Sequence, residues 1–208
     1  MRRAHPFAAV AVPFYSGIVL ACAAACGDSG SDSETPCTPL GGPGVEPTVV
    51  ALVENDTNGG FVELQSGGEV HLWQPLQGGH VIYVGARVTG LCADSVMITG
   101  RILDAETGEV IAHETRRGFG LEPQGDGTGL SAPFDLGAVA NVALCPPPVE
   151  ALDVAGTPFL LEVEVSDADG RRAMAGATVT PVCGQADAAA RAACECECSA
   201  AGADAACP

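Results

Sequence analysis

The chain has no lysine. Its nine cations are all arginine and face 26 aspartates and glutamates, for a formal charge of -17. Such a surface repels phosphate and has few cations with which to release counterions, which argues against nucleic acid as a partner. Aromatics are also scarce: one Trp, two Tyr and six Phe in 208 residues. No phosphate-binding Walker loop, dinucleotide fingerprint or Cys-x-x-Cys redox pair occurs. No window from 48 to 182 carries a helical apolar period. Nucleotide enzymes, dithiol oxidoreductases and helical bundles therefore find no support.

Apolar residues make up 47% of the chain. That fraction excludes disorder throughout, although 34 residues are Ala, which bury little area each. The length suits one domain of ordinary size with a short appendage.

The chain opens with Arg2 and Arg3, followed by an almost uninterrupted apolar run from Phe7 to Ala25. A charged start before an apolar stretch is the layout of an export signal. The run is also long enough for an uncleaved membrane anchor. Ala23-Ala24-Ala25-Cys26 puts three small residues before a cysteine, and a Gly/Ser/Asp stretch follows. This resembles a bacterial lipoprotein signal, which implies cleavage after residue 25 and acylation of Cys26. The sequence departs from the usual pattern by having Ala23 where a Leu is common. Val19-Leu20-Ala21-Cys22 is a competing site. Cysteine parity favours Cys26, because Cys22 then leaves with the leader and eight cysteines remain. Loss of Arg2 and Arg3 with the leader makes the charge more negative still. The expected location is the cell envelope, with the membrane reached through an N-terminal lipid. Gly27 rather than Asp after Cys26 points to the outer membrane over the inner.

Residues 26–47 are rich in Gly, Ser, Asp and Pro and read as a tether with no means of packing a core. Cys37 within it suggests that the tether is pinned to something. From Thr48 the texture becomes β. Phe159, Leu161, Val163 and Val165 alternate with Glu162 and Glu164, the clearest strand of all. Eight or nine short strands with turn signals every 8–12 residues predict an antiparallel β-sandwich over 48–182, immunoglobulin- or fibronectin-like. Residues 183–208 form a small Cys-rich appendage. The Cys…Trp…Cys spacing of antibody domains is missing, so the likeness is one of architecture.

Trp73-Gln74-Pro75-Leu76-Gln77-Gly78-Gly79-His80, leading into the strand Val81 to Leu91, together with the later Asp167-Ala168-Asp169-Gly170-Arg171 hairpin, resembles a family of secreted lipoproteins of high-GC bacteria. The resemblance covers about residues 60–182. It implies fold and location and carries no activity.

Eight cysteines are disulfide candidates: Cys37, Cys92, Cys145, Cys183, Cys194, Cys196, Cys198 and Cys207. An oxidising compartment and even parity favour bridges, with no pairing fixed. In an extended chain Cys194, Cys196 and Cys198 would share one side, a copper- or zinc-binding alternative in which His71 and His80 join. The helix-prone stretch Ala186 to Ala193 is too short to stand alone. Asp167 to Gly170 begins a calcium-loop pattern that Arg171 ends, and a hairpin turn explains it without metal. Asn55-Asp56-Thr57 is a formal sequon. Gly27-Asp28-Ser29-Gly30 resembles a serine-protease nucleophile segment, but a tether positions neither a base nor an oxyanion hole.

The expectation is a non-catalytic structural or binding module needing no cofactor. Gln77, Gly78, Gly79 and His80 would present the contact surface to a protein or glycan. The alternative is a metal-handling lipoprotein, and a cryptic hydrolase would need a pocket with convergent polar groups.

Overall fold

The computed structural model describes residues 37–55, 60–131, 137–149, 152–201 and 207. The leader with Cys22 and Cys26, the protease-like Gly27–Gly30 segment and most of the sequon lie outside the described residues. The described chain is mostly β, and its strands form two sheets.

One sheet contains β1 (Thr48–Asn55), β2 (Phe61–Glu63), β4 (His80–Thr89), β7 (Leu121–Pro123), β8 (Gly129–Ser131) and β9 (Ala140–Cys145). Its order is β2-β1-β4-β8-β7. The strand β9 shares one edge of β4 with β8, pairing along His80–Val84 while β8 takes Arg87 and Val88. The other sheet contains β3 (Gly68–His71), β5 (Val96–Asp104), β6 (Val110–Phe119), β10 (Phe159–Ser166) and β11 (Arg172–Val182), in the order β3-β11-β10-β5-β6. All pairs are antiparallel except β3 with β11, which run parallel with Gly68 opposite Val179. Local hairpins account for the antiparallel pairs β5–β6 and β10–β11. The parallel pair joins strands far apart in the chain, which no local signal announces.

Alternation builds the core. In β10, Phe159, Leu161, Val163 and Val165 are buried, as the spacing predicts. In β4, Ile82, Val84, Ala86 and Val88 face the same core. The two sheets approach closely at Gly100 of β5. A Cβ added there would lie 2.9 Å from the Ala140 Cβ and 3.1 Å from the Val84 Cγ2, so only glycine fits.

The stretch expected as tether joins this body from Cys37 onward. Cys37 is bonded to Cys92, and Leu40 exchanges backbone hydrogen bonds with Leu91 and Gly90. The Asp167–Arg171 hairpin closes over the junction. The buried Asp167 carboxylate accepts the N–H groups of Cys92 (2.9 Å) and Arg171 (3.0 Å), and pairs with the Arg171 guanidinium. A guanidinium thus occupies the place where the calcium pattern would put a metal.

The C-terminal segment holds the one helix among the described residues, α1 (Ala188–Glu197). Asp187 caps it by accepting the Ala190 N–H at 2.8 Å. The helix places Cys194 and Cys198 one turn apart on the same face, with Cys196 pointing elsewhere. Helical geometry therefore separates the three sulfurs that an extended chain would have aligned. Cys194 bonds Cys183, Cys198 bonds Cys145, and Cys196 bonds Cys207. Cys194 and Cys198 are fully buried members of the main core, so the appendage completes that core. No helix among the described residues is long and apolar enough to cross a membrane.

Candidate functional site

The outer face of β4 is also apolar at its start. Val81 and Tyr83 point away from the main core, because period two sends alternate residues to opposite faces. They pack with Val139, Phe61 and Trp73 in a second, small cluster. Trp73 is fixed by two backbone hydrogen bonds to Val81, at 2.8 and 2.9 Å. The intervening chain turns back through Pro75-Leu76-Gln77-Gly78, closed by the Gly78 N–H donating to the Pro75 carbonyl at 3.0 Å. Gly78 has φ +87°, which only glycine adopts at no cost. Leu76 at the tip is fully exposed.

Beside this turn lies a groove of about 790 Å³. Trp73, Tyr83 and Val81 supply aromatic and aliphatic surface, and Pro75 and Leu76 form one rim. Gln74, Gln77, Asn141 and Arg116 supply the polar groups. The Trp73 indole nitrogen is buried and has no acceptor among the described residues, so the groove meets the ring carbons of this side chain.

Arg116 reaches the groove from β6 and is held on two sides. Its Nε lies 2.7 Å from the Glu114 carboxylate. The other oxygen of Glu114 accepts the backbone N–H of Asn141 at 3.1 Å. With its amide oriented by its neighbours, Asn141 donates to the Val139 carbonyl at 3.1 Å and accepts from Arg116 Nη2 at 3.0 Å. Arg116 thus ties β6 of one sheet to β9 of the other and also lines the groove. Burial pushes the Tyr83 phenol above its ordinary pKa, and the Arg116 charge partly opposes that shift.

The expected contact surface divides in two. Gln77 and Gly78 line the groove. Gly79 and His80 do not. Gly79 has φ +72°, and a Cβ there would lie 2.5 Å from the Cys145 carbonyl oxygen, so its role is a close backbone approach. His80 is 2% exposed and sits under α1, with its Nδ1 3.1 Å from a Glu197 oxygen. That distance is an ion-pair contact without the alignment of a good hydrogen bond. Desolvation lowers the His80 pKa below its ordinary 6.5, and Glu197 pulls in the opposite direction.

The metal alternative maps onto the same junction. Ligand atoms of His80, Cys194 and Cys198 lie within 4.8 Å of one another. Both sulfurs are committed to disulfides, so neither is a thiolate in this structure. His71 is elsewhere: its Nδ1 lies 3.1 Å from the buried Glu54, whose second oxygen accepts the His71 backbone N–H at 2.8 Å.

No family model matches the chain, and no curated protein matches its sequence.

Sequence reasoning placed Trp73 and Tyr83 on strands without assigning them to a site, and it missed Arg116 and Asn141. Trp73 was conspicuous as the one tryptophan. Nothing in local spacing connects Arg116 or Asn141 to it, since the closure of two sheets brings them together.

Proposed function

We propose that the protein is a lipid-anchored cell-envelope binding module whose contact surface is the Trp73–Arg116 groove. Its body is read as an immunoglobulin- or fibronectin-like sandwich presented by a tether, with Cys26 as the acylated residue and the outer membrane as its location. One observation carries the binding reading. A groove about 790 Å³ in size joins aromatic surface to amides and a fixed guanidinium. Pockets of that size and mixed lining are where ligands are held.

Amides, a phenol, an indole and a guanidinium line the groove. Such groups orient a ligand through hydrogen bonds and apolar contact, which suits a binding role. The acidic surface keeps an envelope protein soluble and away from anionic lipid heads. The resemblance of the Trp73–Leu91 and Asp167–Arg171 stretches to secreted lipoproteins supports the same location.

A photoreactive p-benzoylphenylalanine at position 76, on the groove rim, tests the binding reading in intact cells, with position 174 as control. Met174 is exposed on β11, away from the groove. Adducts confined to position 76 are expected. Equal or no adducts at both positions would overturn the reading. Membrane retention that survives Cys26→Ala would overturn the lipid anchor.

A further inference from the structure

We infer that the occupant of the groove is a neutral saccharide, an inference that rests on the binding-module reading above and names its ligand class. Arg116 is the one cation among the groove's described residues, and Glu114 lies 2.7 Å from its Nε, so the site presents guanidinium N–H donors with little net charge. The chain carries -17 overall, which repels an extended polyanion before it arrives. Among the described residues no carboxylate lines the groove to receive a basic segment.

Shape and donor set narrow the choice further. Trp73 is half-buried and offers flat apolar surface, with Tyr83 buried beside it, and the ring of a pyranose has an apolar C–H face that lies against such a surface. Around them stand Gln74 and Gln77, both exposed, with Asn141 and Arg116 opposite. Side-chain amides both donate and accept, as sugar hydroxyls do, and a guanidinium edge spans two neighbouring oxygens. A proline-rich peptide also favours aromatic grooves, but its carbonyls only accept, whereas the amides here present acceptors as well as donors. The indole N–H is buried, so Trp73 meets a ligand with ring carbon. Arg116 is fixed before binding by Glu114 and Asn141, so little ordering remains to oppose a weak ligand.

The test titrates the full exported chain with neutral hexasaccharides of glucose, mannose, xylose and N-acetylglucosamine. An oligogalacturonate and an oligoproline serve as competing classes. At least one neutral series is expected to bind, with affinity unchanged by added salt. Trp73→Ala should weaken it by about tenfold or more. Because Trp73 also belongs to the small outer cluster, Gln74→Ala with Gln77→Ala provides a second variant on exposed positions. It should weaken binding several-fold with an unaltered circular dichroism spectrum. Binding limited to the oligogalacturonate, with strong salt dependence, overturns the neutral assignment. Binding of the oligoproline alone, or of nothing by the folded chain, overturns the saccharide class. Specific adducts at position 76 alongside a failed panel leave the binding module standing. Failure of both removes both.

Discussion

Two halves of one short segment have opposite fates. Trp73 to Gly78 forms the groove's wall and rim, and its side chains keep surface and hydrogen-bonding capacity to spare. The next two residues, Gly79 and His80, do not reach the groove. Gly79 fits against a carbonyl that excludes any side chain, and His80 is shut beneath α1 and two disulfides. The contrast shows how to tell a contact residue from a structural one with similar chemistry. Exposure decides, because a group shut away from solvent cannot meet a ligand, whereas an exposed amide or aromatic ring can.

The sharpest way to break the contrast is to open the locked half. Replacing Cys145 and Cys198 by Ser removes the bridge that holds α1 over His80. Stability should drop by about 2–5 kcal/mol, read by chemical denaturation. Gly79→Ala is next. It forces a Cβ against the Cys145 carbonyl at positive φ, and a loss of roughly 1–3 kcal/mol is expected.

Acidification probes the same half more gently. Burial depresses the His80 pKa, so as pH falls below about 6.5 the unfolded chain takes up its proton first. This residue therefore contributes no pH dependence above that value, and it lowers stability as pH drops toward the folded-state pKa. His80→Gln should flatten that part of the profile relative to wild type. A profile unchanged by the substitution would show that imidazole burial is not responsible. The smallest effect belongs to the open half. Leu76→Ser should alter stability by less than about 0.5 kcal/mol, since the side chain touches solvent all round. A larger loss would mean that the turn is structural after all.

The sequence carried the parts of this molecule that obey local rules. The alternation in β10 and the turn chemistry of Asp167–Gly170 could both be read directly. The start of α1 is legible in part: Ala186 to Ala193 is helix-prone but too short to stand alone, and no local signal carries it on through the cysteines. Helix propensity, reinforced by bridges from Cys194 and Cys198, extended it to Glu197. The groove was legible only by half. Trp73 and Tyr83 lie on one hairpin, but Arg116 and Asn141 join them through contact between two sheets, which no spacing encodes. The parallel β3–β11 pair was invisible for the same reason.

That pair has a consequence in time. Gly68 finds Val179 only after nearly the whole body has been made, and Cys145 finds Cys198 later still along the chain. Contacts between such distant residues impose a large loop-closure entropy before they reward the chain, which slows folding. A chain interrupted before α1 would hold an unfinished core, without the buried Cys194 and Cys198. Sealing therefore waits on α1, whose cysteines bridge back to Cys145 and Cys183.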